Sequence, residues 1–240
     1  MVRAPGQTGP VTLVFAHRGA GPGGPERENT VAAFRAAAAL GADGVELDVR
    51  RAAGGSLVVH HDPVLADGRE IWRLAPAELP SEVPSLGEAL EACGRLVVNV
   101  EVKNLPGEVD FDPGEEVART AADVCRRADV PVVFSSFSLS CLRALRRADA
   151  GAQPAWLTVP ADAAEAVAVA RRLGLGALHP FEACVDAALV EAAHRAGLAV
   201  RAWTVDDPAR VAELGRLGVD AVITNDVTLA RRALGRGPVG

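Results

Sequence analysis

Cysteine is scarce and poorly placed for metal. Cys93, Cys125, Cys141 and Cys184 form no CxxC pair and no Cys/His zinc spacing, which excludes a zinc ribbon or a dithiol redox motif. Three of the four sit in or beside helical stretches, where a free thiol packs as a small apolar group. No apolar run reaches the roughly 20 residues that span a bilayer. The first short run is followed at once by His17-Arg18, so neither a secretory leader nor stable membrane insertion is expected. Lys and Arg form no block and the net charge is −6, against a nucleic-acid surface. A small anion is not excluded, because one or two local cations suffice for a phosphate. GxGxxG and P-loop motifs are missing too. These absences leave a cytoplasmic protein with a small-molecule partner and an open oligomeric state.

What is present favours a large core. Hydrophobic residues make up 49% and charged residues 23% of 240, and no linker divides residues 1–240, so one domain is expected. Short β-branched runs alternate with Ala-rich helical stretches. Strands are predicted at 11–16, 44–49, 57–60, 96–102, 130–135, 155–159, 176–179, 198–204 and 220–224. Helices are predicted at 30–40, 85–92, 115–128, 139–148, 161–173, 186–196, 208–217 and 228–234. Such alternation indicates a parallel sheet with helical crossovers. Only seven residues separate Val49 from Leu57, too few for a parallel crossover. Gly54-Gly55 makes that strand a returning hairpin arm. Eight parallel strands remain, and the expected fold is α/β, a (β/α)8 TIM barrel with a short β-hairpin insertion after the second strand. An open doubly wound sheet is the alternative.

Two strands carry charge where a core strand should be apolar. In 44–49, Val45, Leu47 and Val49 share one face while Gly44, Glu46 and Asp48 share the other. In 96–102, Val98, Val100 and Val102 oppose Asn99, Glu101 and Lys103. Three carboxylates and one ammonium therefore point into the barrel near its C-terminal mouth, where barrel active sites lie. Such a cluster needs compensating positive charge. Lys103 in a structural ion-pair network is one answer; a hard divalent cation on Glu46, Asp48 and Glu101 is the better one, Mg2+ or Ca2+ given all-oxygen ligands. His17 and Arg18 follow the first strand at the same end. A turn centred on Gly54-Gly55 brings His61 opposite Asp48, and a one-residue bulge would substitute His60. Two imidazoles beside a metal and two cations suit acid–base chemistry on a phosphate. Zinc amidohydrolase chemistry fits less well, as the first strand lacks a His-x-His pair.

These segments resemble the glycerophosphodiester phosphodiesterase family: His17-Arg18-Gly19; Glu28-Asn29-Thr30 with Ala33-Phe34; 41–48; 57–63; Glu101-x-Lys103; 135–137; Trp203-Thr204-Val205; and 218–224. The match spans nearly the whole chain. The resemblance implies metal-dependent hydrolysis of a glycerophosphodiester to glycerol 3-phosphate and an alcohol, within glycerol and lipid metabolism. It implies His17 and His61 as acid/base residues, His61 being chosen over His60 because it precedes Asp62. Glu46, Asp48 and Glu101 would hold the metal, and Arg18 and Lys103 the phosphate. It also implies attack by the glycerol 2-hydroxyl through a cyclic phosphate that water opens. Glu28 and Asn29 would support the site, although Asn29 or Thr30 equally suits a helix cap. Trp203 would wall the substrate or else pack in the core; His179 either edges the mouth or, the preferred reading, is structural, and His194 is read as helix surface.

Two features depart from the pattern. Arg27 replaces the usual proline before Glu-Asn-Thr, and the segment 62–96 is short for a substrate-covering insertion. Two other functions stay in view: phospholipase D-like hydrolysis of lysophospholipids, and a non-catalytic phosphate-binding barrel.

Overall fold

Valine and leucine at every second position give the strands one face for helices and one for the barrel axis. The computed structural model describes residues 11–19 and 28–237; Arg27 and the start of the chain lie outside them. The strands are β1 (Leu13–Ala16), β2 (Gly44–Arg51), β3 (Leu57–Val59), β4 (Val97–Val102), β5 (Val132–Ser136), β6 (Ala155–Thr158), β7 (Ala177–Pro180), β8 (Ala199–Ala202) and β9 (Ala221–Thr224). The helices are α1 (Val31–Ala39), α2 (Leu86–Cys93), α3 (Glu116–Arg127), α4 (Leu139–Ala148), α5 (Ala163–Arg172), α6 (Ala187–Arg195), α7 (Pro208–Leu217) and α8 (Val227–Ala233). Neighbouring strands run β1-β9-β8-β7-β6-β5-β4-β2, and β1 pairs with β2 to close the ring. All eight are parallel, and β3 alone runs antiparallel on β2. This is the expected TIM barrel with its hairpin.

Local chemistry sets the helix starts. Thr30, Ser85, Ser138, Asp162, Asp186, Asp207 and Asp226 each accept a hydrogen bond from a backbone N–H of the following first turn. Each such cap contributes about 1 kcal/mol. Outside the barrel, Val45, Leu47, Val49, Val98, Val100 and Val102 join one continuous core with the helices. Phe15, Ala221 and Ile223 form a separate cluster on the axis. Gly44 lies against Phe15 and Val97; a Cβ there would meet both at under 3 Å.

The hairpin register differs from expectation by one residue. Val49 pairs with Val59 and Arg51 with Leu57, so the loop centres on Gly54, whose φ of 73° suits glycine. The His60 N–H consequently donates to the Asp48 carbonyl at 3.0 Å, and His60, not His61, lies opposite Asp48. The short segment after the hairpin packs Leu65 and Ile71 on Ala52 and Val58 in its own small cluster. No described helix is long and apolar enough to cross a membrane.

Candidate active site

Strand parity delivers the predicted carboxylates. Glu46 pairs with Asn99 and Asp48 with Glu101 across the β2–β4 ladder, so all four face the axis. Glu46, Asp48 and Glu101 are buried, and each offers an oxygen within 4.8 Å of the others'. Lys103 Nζ lies 3.0 Å from Asp48 Oδ1 and 2.5 Å from Glu101 Oε1. Arg18 completes the set: Nε is 3.2 Å from Asp48 Oδ2, NH1 2.8 Å from Glu28 Oε1, and its backbone N–H donates to Glu46 Oε2 at 3.0 Å. Asn29, in the left-handed region at φ 57°, is a tether and not a cap. Its Nδ2 donates to Asp48 Oδ2 at 2.8 Å and its Oδ1 accepts from the Asp48 N–H at 3.2 Å. The cap is Thr30.

The electrostatics of the cluster are unequal. Burial, then repulsion from Asp48 and Glu101, pushes Glu46 well above the ordinary glutamate value. Burial also raises Glu101, although Lys103 works against it. Burial would raise Asp48 as well, but Lys103 and Arg18 outweigh it and hold Asp48 ionised. Lys103 stays protonated because Asp48 and Glu101 overcome its desolvation. Glu46 Oε1 is buried with no hydrogen-bond partner among the described residues. An orphaned oxygen, two raised carboxyls and an all-oxygen donor set fit a hard divalent cation.

The histidines are oriented by residues that the sequence reading had missed. Asn225 Nδ2 donates to Asp206 Oδ2 at 2.7 Å, and its backbone N–H to Asp206 Oδ1 at 2.8 Å. The amide oxygen therefore faces His17 Nδ1, 2.8 Å away. Only an Nδ1–H can serve that acceptor, which leaves Nε2 with its lone pair. Nε2 lies 3.9 Å from Glu46 Oε2. Burial lowers the His17 pKa, and the Asn225 bond works in the other direction. His61 Nδ1 sits 2.7 Å from Asp62 Oδ1. Burial lowers its pKa too, helped by Lys103 and Arg18 and opposed by Asp48 and the Asp62 bond. The His60 ring turns away, its Nδ1 2.8 Å from the Asp62 carbonyl. Thus His60 takes the register position while the His61 imidazole feels the carboxylate site. β3 ends at Val59, so strand alternation no longer governs where these two rings point.

Arg50 was also overlooked. It is 2% exposed, bonds Asp110 at 2.8 Å and Glu108 at 3.1 Å, and donates from Nε to the His61 carbonyl at 2.6 Å. The loop after β4 is thereby tied to the backbone of a candidate catalytic histidine. Its position in β2 gave the only hint, as the next residue on the Glu46/Asp48 face. Trp203 Nε1 donates to the His179 carbonyl at 2.6 Å. The Trp203 ring meets Phe137 edge-on at 5.4 Å and Phe181 at 5.6 Å, an aromatic group beyond the C-terminal strand ends. His179 is fully buried inside the barrel, the structural alternative in the sequence reading. His194 Nε2 contacts Asp220 at 2.9 Å on the surface.

Known proteins resemble this chain along most of its length. The model of the glycerophosphoryl diester phosphodiesterase family matches residues 17–229. A glycerophosphodiester phosphodiesterase of Caldanaerobacter subterraneus subsp. tengcongensis is 34% identical over 90% of this chain and 94% of its own. A probable glycerophosphodiester phosphodiesterase 2 of Mycobacterium tuberculosis is 30% identical over 86% and 84%. Among solved structures, a phosphodiesterase of Oleispira antarctica, in complex with the product sn-glycerol-3-phosphate, superposes with a TM-score of 0.82. It is 26% identical, covering 94% of this chain and 97% of that one.

Proposed function

Because the chain belongs to the glycerophosphoryl diester phosphodiesterase family and is a phosphoric diester hydrolase, we propose that it cleaves glycerophosphodiesters to glycerol 3-phosphate and an alcohol, using a divalent cation, Mg2+ or Ca2+, on Glu46, Asp48 and Glu101. One observation carries this reading: three buried carboxylates, two cations and two oriented imidazoles converge at one barrel mouth. A cation held there would supply Lewis-acid stabilisation of phosphoryl charge. Arg18 and Lys103 add positive charge for the phosphate oxygens.

His17 suits the base, because Asn225 fixes its proton on Nδ1 and leaves Nε2 able to take one from an attacking hydroxyl. His61, backed by the Asp62 carboxylate, delivers a proton to the leaving alcohol. The roles reverse when water opens a cyclic phosphate. Trp203, with Phe137 and Phe181, walls the glycerol or head-group side, and Glu28 and Asn29 hold Arg18 and Asp48 in place.

A second reading, hydrolysis of lysophospholipids, draws support from apolar side chains at the strand C-terminal end: Val109, Val159 and Phe181 are 55%, 62% and 36% exposed. Incubating metal-loaded protein with glycerophosphocholine, glycerophosphoethanolamine and lysophosphatidylcholine separates the two. Release of glycerol 3-phosphate from the soluble diesters supports the first, and choline release from the lysolipid alone supports the second. A folded protein that turns over none of them, across several metals, is a non-catalytic barrel.

A further inference from the structure

A cavity of roughly 700 Å³ lies at the end of the barrel opposite the carboxylates. It opens between the loops that lead into β5, β6, β7 and β8, lined there by Val130, Gln153, Gly176 and Gly197. From inside the barrel it is reached by Val133, Ala199 and Arg201. These three share the axial face. Val133 pairs with Asn99 on β4, and Arg201 pairs with Ala221, itself a partner of Leu13 in the axial cluster.

Arg201 is a half-buried cation without an ion pair among the described residues. The carboxylate whose field reaches it, Asp220, is engaged elsewhere by His194 Nε2 at 2.9 Å and the Val200 N–H at 2.7 Å. The other charged side chains on the cavity are likewise occupied. Arg126 pairs with Asp123 at 2.6 Å, and Asp149 accepts from the Gly151 N–H at 2.8 Å.

The side chain in contact with Arg201 is itself a donor in want of an acceptor. Its NH1 lies 3.3 Å from His179 Nε2. A guanidinium only donates, so Nε2 accepts and the imidazole proton sits on Nδ1. That Nδ1–H is fully buried and has no partner. Water does not neutralise a desolvated guanidinium.

We propose that Arg201 anchors an anion-binding site in this cavity at the N-terminal end of the barrel, taking a small inorganic oxyanion of the phosphate class. The site is separate from the mouth and does not depend on the catalytic reading above. It gives Arg201 a counter-charge where the described residues give it no ion pair, the guanidinium's contact being the neutral His179 imidazole.

Thermal unfolding against inorganic phosphate, at ionic strength held constant with a gluconate salt, tests this. In the wild type the melting temperature rises saturably, by about 3–5 °C at ten times the dissociation constant. Lys103→Met removes a mouth cation and keeps that rise. Arg201→Met loses it, melts at or above the wild-type temperature without phosphate, and keeps diester turnover within about two-fold. Should Arg201→Met fail to fold, Arg201→Gln with phosphate titration calorimetry reads the same loss. The site is refuted by an unchanged rise in the Arg201 variant, by loss of the rise in Lys103→Met, or by a wild type indifferent to phosphate. The last result would leave Arg201 as a hydrated cation only.

Discussion

At the residue scale, the arrangement separates groups that sequence position alone confuses. His60 and His61 are adjacent, yet His61 is the ring within the field of Asp48, Lys103 and Arg18. His61→Ala is expected to lower kcat by about 10²–10⁴-fold, the span of general acid–base catalysis, while His60→Ala stays within about three-fold. Steady-state kinetics on glycerophosphocholine decides, and equal losses would contradict the assignment. Glu46→Gln makes a second contrast. It should weaken divalent-cation affinity in calorimetry and also raise the melting temperature of the metal-free protein by about 2–6 °C, because a repelled, desolvated carboxyl becomes a neutral amide. A residue with a purely structural role would give the reverse, with melting temperature falling and metal affinity unmoved.

Among elements, period-two reading of β2 and β4 was enough to place Glu46, Asp48, Glu101 and Lys103 inside the barrel, since alternation is a local rule. It was not enough for the hairpin, where the turn centre moved from between two glycines onto Gly54 and changed the partner of Asp48. Nor could it find Asn225, Asp206 or the Arg50 network, which join residues far apart in sequence through side chains with no periodic mark. The loop after β4 illustrates the cost of that gap. Arg50 holds Asp110 and Glu108 while clamping the His61 carbonyl, so Arg50→Met leaves a buried carboxylate unpaired. A loss of about 3–5 kcal/mol in denaturant unfolding is expected, with proteolytic nicking near residues 105–114 and kcat falling more than KM changes. If the destabilisation comes without a kcat effect, the clamp does not position His61.

For the whole molecule, the cluster makes stability depend on pH and metal together. The raised Glu46 and Glu101 hold protons in the folded state that they release on unfolding. Their contribution is therefore full below pH 4.5 and is lost as pH rises through their folded values. The lowered His17, His61 and His179 have the opposite sign, losing stability as pH falls below 6.5. Above 6.5 the three histidines are neutral in both states, so a fall in the metal-free melting temperature with rising pH there reports the carboxyls, and saturating Mg2+ or Ca2+ should flatten it. Calorimetry across this window measures both. A metal-free slope equal to the metal-loaded one would mean that the cation does not sit among these carboxylates.

The ring closure also sorts its work by compass direction. The carboxylates, both cations and the two histidines come from residues 17–103, on the arc of β1, β2 and β4, whereas Phe137, Phe181 and Trp203 stand on the arc of β5, β7 and β8. The proposed acid–base and metal-binding groups and the proposed aromatic wall are thus supplied by different stretches of chain. On the proposed function such a layout is modular: substitutions in the later arc would retune the substrate accepted while the earlier arc keeps its chemistry.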